Sequence, residues 1–145
     1  MKKIGLAIIA LLFVGAASAQ MQITKVEEPT LVCKTWNGWN KLYKHQVNGE
    51  YSYYFILASD NRYDRIYHID LGSKKEAIDT IHFLLDNYKP GADFHATEVT
   101  GETFYVFAVN MLGDKHYTIK KDGYGGYASI RLSELKKYAT ALYAE

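Results

Sequence analysis

Two Asn-Gly dipeptides, at residues 37–38 and 48–49, restrict the fold of this chain more than any other feature of its sequence. Each dipeptide separates runs of apolar and aromatic residues that have strand composition. Asn-Gly favours a two-residue type I′ turn, because both central residues of that turn need positive φ. The spacing therefore predicts a three-stranded antiparallel meander over Thr30–Trp36, Trp39–Val47 and Glu50–Ala58, with its register set by the two turns.

The pattern after the meander changes from strand to helix. A fourth strand is predicted over Arg65–Leu71, and Ser73 followed three residues later by Glu76 is typical of a capping box. Apolar residues then recur at helical spacing, which predicts a helix over Lys74–Tyr88 that ends before Pro90-Gly91.

The second half of the chain repeats this order of elements. A last helix is predicted with Ser133 as its N-cap, because Leu135, Tyr138, Ala139 and Leu142 follow at helical spacing. The predicted fold is α+β, with about eight antiparallel strands in an arrangement that suggests a duplicated ββββα unit and with two helices on one face. The four further strands are expected at Phe94–Val99, Phe104–Asn110, Lys115–Lys120 and Tyr127–Leu132.

The N-terminus has the pattern of a secretory signal peptide over residues 1–19. Two lysines precede an uncharged apolar run, and Ala17-Ser18-Ala19 is a small-x-small cleavage pattern. We expect cleavage to leave a single domain over residues 20–145 that begins at Gln20 and has no transmembrane span. The only cysteine, Cys33, does not follow the cut, so no lipid anchor is expected, and the predicted location is secreted or periplasmic.

Charge and cysteine content restrict the partners of this domain. The signal contains two of the 17 basic residues, so 15 basic residues remain against 16 acidic ones and the formal charge is −1. A balanced charge provides no field to attract nucleic acid, and no nucleic-acid partner is expected. Cys33 cannot form an internal disulfide, and its position in an apolar strand predicts a buried, reduced thiol.

The predicted register divides the first hairpin into two unlike faces. Cys33, Leu42 and Phe55 make one face apolar, which the helices would cover. The other face faces solvent, and large exposed aromatic patches often mark a binding surface. On that face Trp36 would pair with Trp39, Lys34 with Lys41, Val32 with Tyr43, and Tyr43 with Tyr54. The residues predicted to bind a ligand are Trp36, Trp39, Lys34, Lys41, Tyr43 and Tyr54.

The sequence favours a non-enzymatic binding domain whose partner is a glycan or an envelope or secreted protein. The alternative for the tryptophans is structural, since a cross-strand indole pair also stabilises a hairpin. The five histidines lack metal-ligand spacing, so no metal, cofactor or catalytic residue is assigned. A small hydrolase using His68 oriented by Asp70 remains an alternative, as does an inhibitor or envelope assembly protein.

Overall fold

The computed structural model describes residues 27–60, 66–98, 100–123 and 126–145. The predicted signal peptide and its cleavage site lie outside the described residues. Within the described ranges, eight antiparallel strands and two helices confirm the predicted α+β class. In chain order the elements are β1 (Thr30–Lys34), β2 (Lys41–Val47), β3 (Glu50–Leu57), β4 (Tyr67–Gly72), α1 (Lys74–Asp86), β5 (Asp93–Thr97), β6 (Thr103–Met111), β7 (Asp114–Lys121), β8 (Ala128–Arg131) and α2 (Leu132–Ala144).

The strands form two four-stranded meanders, sheet A from β1–β4 and sheet B from β5–β8. Each sheet is followed by one helix, so the ββββα unit occurs twice. The central hairpins of the two sheets share one turn geometry. Asn48 and Gly49 have φ of 53° and 85°, and Leu112 and Gly113 have φ of 52° and 87°. Two successive positive φ values define the type I′ turn that was predicted at Asn48-Gly49.

The first hairpin differs from its prediction at the turn. Strand β1 ends at Lys34 and β2 begins at Lys41, and these two residues pair as predicted. Beyond them the N–H of Thr35 donates to the carbonyl of Asn40 at 2.9 Å. The connection is therefore a four-residue loop over residues 36–39 and not a two-residue turn.

The side chain of Asn37 explains why the shorter turn does not form. Asn37 lacks the positive φ that a type I′ turn requires, although Gly38 has a φ of 72°. Its carboxamide oxygen instead accepts hydrogen bonds from the Thr35 hydroxyl and from the N–H of Trp39, the latter at 3.1 Å. Such local side-chain bonds stabilise a wider turn. Trp36 and Trp39 consequently lie in a loop, and the predicted cross-strand indole pair is wrong.

The register of the hairpin strands follows the prediction with one exception. Cys33 lies opposite Leu42 as predicted, but a bulge at Val32 places Leu31 and not Val32 opposite Tyr43. The extra residue of a bulge is left unpaired, which shifts every pair beyond it by one. Cys33 packs against the core but is only partly buried, contrary to the fully buried thiol expected. The β2–β3 hairpin keeps its predicted register throughout.

One continuous core lies between the inner faces of both sheets and the two helices. Phe55 of sheet A contacts Tyr138 of α2 with ring centroids 5.5 Å apart. Tyr117 of sheet B donates its hydroxyl hydrogen bond to the carbonyl of Leu84 in α1 at 2.6 Å. Each fully buried large apolar side chain contributes about 1.5–3 kcal/mol. The helices therefore join the two sheets through shared packing.

The sheets also meet directly along one side. The segment after β3 runs beside β8, where Ser59 forms an antiparallel bridge with Ala128. The N–H of Asp60 donates to the carbonyl of Tyr127 at 2.9 Å, and the Asp60 carboxylate accepts from the N–H of Tyr127 at 2.8 Å. This junction joins the C-terminal end of β3 in sheet A to β8, an edge strand of sheet B.

The helix starts are set by different residues in the two halves. Ser73 and Glu76 form the predicted capping box at α1, with the Ser73 N–H donating to the Glu76 carboxylate at 2.7 Å. These hydrogen bonds lower the pKa of Glu76. Helix α2 begins two residues earlier than an N-cap at Ser133 predicts, because Arg131 and not Ser133 is the N-cap. The Arg131 N–H donates to the Glu134 carboxylate at 2.8 Å, which is the half of a capping box that the N3 side chain supplies.

Candidate functional site

The loop over residues 36–39, named here the indole loop, presents both tryptophans of the chain to solvent. The side chains of Trp36 and Trp39 are 87% and 70% exposed. Lys34 and Lys41 flank the loop at the ends of β1 and β2. A buried indole pair would stabilise the fold by the hydrophobic effect, but exposed indoles contribute little of that stabilisation. Their exposure therefore distinguishes Trp36 and Trp39 from a buried structural pair.

Asn40, directly after the indole loop, fixes that loop to both halves of the molecule. Only 8% of Asn40 is exposed. Its amide nitrogen donates to the carbonyl of Ser129 at 2.9 Å and to the Glu134 carboxylate at 3.2 Å. Its amide oxygen accepts from the N–H of Ala58 at 3.2 Å. Because these partners lie in β8, in α2 and after β3, the base of the indole loop is held from three directions.

A groove of about 660 Å³ lies between Trp39 and the outer face of sheet B. This volume is within the range of small-molecule sites, although the groove is open along its length. Alternation along β6 and β7 places its floor residues on one face, because every second side chain of a strand points the same way. The floor and far wall consist of Phe107, Val109, Met111, His116, Thr118 and Arg131.

Polar side chains gather at one end of this groove. The Nε of Arg131 lies 3.1 Å from the Asp114 carboxylate, and His116 is the cross-strand neighbour of Arg131. The Nδ1 atom of His116 lies 3.2 Å from the Asp114 carbonyl oxygen. The arrangement offers hydrogen-bond donors and acceptors beside an apolar wall. Within the described ranges, no three His, Cys, Asp or Glu side chains are grouped so that they could hold a metal ion.

The β6–β7 turn adds a strained apolar tip to the groove wall. Met111, which lines the groove, is largely exposed, and the next residue, Leu112, is fully exposed. Leu112 has a φ of 52°, a conformation that a bulky side chain rarely adopts. The equivalent position of the other half is Asn48, the ordinary residue for this turn. Strained backbone conformations cluster at functional sites, and we therefore include the tip in the candidate surface.

Tyr43 and Tyr54, predicted as ligand contacts, occupy the outer face of sheet A but stack on each other. Their ring centroids lie 5.6 Å apart at an interplanar angle of 13°. On its other side Tyr54 stacks with His68 at 4.4 Å. Tyr54 is therefore only 7% exposed, and its role in ligand binding stays a prediction. Burial, with a smaller electrostatic contribution from Tyr43, raises the pKa of Tyr54.

His68 and Asp70 share a face of β4, as their spacing predicts, and both line a cavity of about 360 Å³. The Asp70 carboxylate accepts hydrogen bonds from the N–H of Gly72 at 2.9 Å and from the Ser52 hydroxyl at 3.4 Å. Within the described part of the chain His68 stacks on Tyr54, and no hydrogen bond joins it to Asp70. The hydrolase alternative would need these two side chains to come within hydrogen-bond reach of each other.

Asn40, Arg131 and the β6–β7 tip belong to the candidate site but were not predicted from the sequence. Asn40 follows Trp39 directly, but its partners Ser129 and Glu134 lie 89 and 94 residues away and carry no local signal. The sequence did contain a signal for the β6–β7 tip. Leu112-Gly113 separates two strand-like runs, and a leucine occupies the position where a two-residue hairpin turn usually has Asn.

No family model, curated protein or solved structure matches this chain. Among the described residues, no helix is both long enough and apolar enough to cross a membrane.

Proposed function

We propose that this chain is a secreted or periplasmic binding domain whose partner is another protein. The observation that carries the proposal is the exposure of Trp36 and Trp39 on a loop whose base Asn40 fixes. Tryptophan is enriched among the few residues that dominate the energy of protein interfaces. Prior fixing of a loop lowers the entropy cost of binding.

The β6–β7 tip favours a protein over a sugar. Met111 and Leu112 are exposed, flexible apolar side chains that complement a packed protein surface. Lys34 and Lys41 beside the indole loop, and Arg131 in the groove, supply a charged rim. An apolar centre with a polar rim is the usual anatomy of a protein interface.

A glycan is the second candidate ligand. The specific observation in its favour is the placement of Trp39 along a groove that also contains Arg131, Asp114 and Asn40. An indole face suits the C–H face of a sugar ring, and the polar side chains can bond its hydroxyls. This candidate does not use Leu112 and leaves the strain at the tip without a role.

Site-specific photo-crosslinking distinguishes these proposals. A benzophenone amino acid replaces Met111 at the groove rim in one variant and Thr140, an exposed residue of α2, in the matched control. In cells that produce the full chain, we expect a discrete protein adduct from position 111 that is absent from position 140. Identical adducts from both positions would contradict a specific protein partner.

The glycan candidate has its own readout. Both tryptophans of the chain lie in the indole loop, so tryptophan fluorescence, excited selectively over tyrosine, reports on that loop alone. Saturable quenching by oligosaccharides, without a protein adduct from position 111, would favour the glycan and overturn the protein proposal.

A further inference from the structure

A second cavity, of about 430 Å³, opens between the two sheets on the side away from the Ser59–Ala128 junction. Helix α1 forms one wall, and strand β4 of sheet A and strand β5 of sheet B form the others. Its interior is apolar and largely aromatic, with Phe55, Ile69, Phe94, Phe104, Val106 and Ile119 among the lining residues. Its volume is within the range of small-molecule sites.

The topology explains why the sheets separate here. Strands β4 and β5 are both edge strands, each paired only with β3 or β6. One hydrogen bond between these edges comes from a side chain: the Asp70 N–H donates to the Glu98 carboxylate at 2.7 Å. Without a backbone ladder between β4 and β5, the core remains accessible from this side.

An aromatic pair stands at the cavity mouth. Phe83 of α1 lines the cavity yet is 52% exposed, and its ring meets the edge of Phe94 with centroids 5.6 Å apart. Aromatic rings at the entrance of an apolar cavity can receive both a hydrocarbon tail and a cation, because the ring face is negative.

The carboxylates that line the cavity outnumber its basic side chains. Asp70, Glu76 and Glu98 line the cavity. These carboxylates accept hydrogen bonds from neutral donors. The donors are the backbone N–H groups of Asp70, Gly72 and Ser73 and hydroxyls such as that of Thr100. None of the three carboxylates takes part in an ion pair within the described residues. His95 is the one basic side chain among the described residues that line the cavity.

We propose that this cavity binds a small amphiphile with an alkyl tail and an ammonium head. The tail occupies the space between Phe55, Phe94 and Phe104, and the head lies at the mouth beside Glu98 and Phe83. An anionic amphiphile is disfavoured, because its head would meet three carboxylates. The inference does not depend on the indole loop, since the cavity and the groove are lined by different residues.

Calorimetric titration of the full chain with octyltrimethylammonium tests the proposal, with three matched ligands. Tetramethylammonium lacks the tail, octanol lacks the charge and octane-1-sulfonate reverses it. We expect octyltrimethylammonium to bind at least about tenfold more tightly than each of the other three. Equal affinity for the sulfonate, or no saturable binding of octyltrimethylammonium, would overturn the proposal.

Two variants locate the binding. Thr80 lies on the exposed surface of α1 at the cavity wall, so Thr80→Trp should close the mouth, whereas Thr140→Trp on α2 is the matched control. Glu98→Gln still accepts the Asp70 hydrogen bond through its amide oxygen but removes one charge. We expect Thr80→Trp to abolish binding, Thr140→Trp to leave it unchanged, and Glu98→Gln to weaken it about threefold to tenfold. Unchanged affinity in both Thr80→Trp and Glu98→Gln would show that the amphiphile binds elsewhere.

Discussion

The Asn40 amide nitrogen lies 3.2 Å from the Glu134 carboxylate, which links the indole loop of sheet A to the first turn of α2. The same carboxylate accepts a hydrogen bond from the backbone N–H of Arg131 at the start of α2. One acidic side chain thus begins α2 and anchors the loop that carries both tryptophans. The position of the indoles is therefore coupled to the packing of the second half of the chain.

Asn40→Ala should destabilise the domain and release the indole loop. The change leaves the Ala58 N–H and the Ser129 carbonyl without their partner, at a cost of about 1–3 kcal/mol. Urea unfolding measures the stability loss, and tryptophan fluorescence anisotropy measures the added loop motion. Asn87→Ala, an exposed change at the end of α1, should leave the anisotropy as in the unchanged chain. Unaltered anisotropy in Asn40→Ala would show that the loop is fixed by other contacts.

Leu112→Asn should stabilise the fold while weakening partner binding. Asn tolerates positive φ better than Leu, so relief of the turn should add about 0.5–1 kcal/mol to the free energy of unfolding. Crosslinking from position 111 should fall in the same variant, because an exposed apolar contact is lost. A more stable variant with undiminished crosslinking would exclude Leu112 from the interface.

Glu76 should make the stability of α1 depend on acid pH. Hydrogen bonds from Ser73 lower the pKa of Glu76 from its ordinary value of 4.5. A carboxyl group with a lowered folded-state pKa contributes stability above the unfolded-state value, and that contribution is lost as the pH falls through the folded-state value. In urea unfolding between about pH 3 and 7, the stability difference between the unchanged chain and Glu76→Gln should therefore shrink below about pH 4.5. A difference that stays constant over this range would contradict the ionised capping box.

Local signals predicted the repeating elements and most of the strand register. Asn48-Gly49 forms its type I′ turn, and the Ser73–Glu76 capping box lies where the sequence places it. These features depend on residues within a few positions of one another. Asn37-Gly38 fails as a two-residue turn because the Asn37 carboxamide bonds Thr35 and Trp39, a local alternative that the dipeptide alone does not reveal.

The candidate site was predictable only in part, because tertiary contacts decide which side chains stay accessible. Alternation correctly places Tyr54 on the outer face of sheet A, but its burial depends on His68 in β4. The groove likewise joins Trp39 to Arg131 from the far end of the chain. No spacing in the sequence relates such distant residues.

The central claim is that the two indoles form a binding surface and do not stabilise the fold. Trp36→Ala combined with Trp39→Ala tests it, with urea unfolding and crosslinking from position 111 measured on the same protein. We expect the protein adduct to disappear while the free energy of unfolding falls by no more than about 1–2 kcal/mol, since both rings are largely exposed. Loss of about 3–5 kcal/mol for each indole, the cost of truncating a buried aromatic residue, would contradict the claim. So would a folded double variant that still forms the adduct at the level of the unchanged chain.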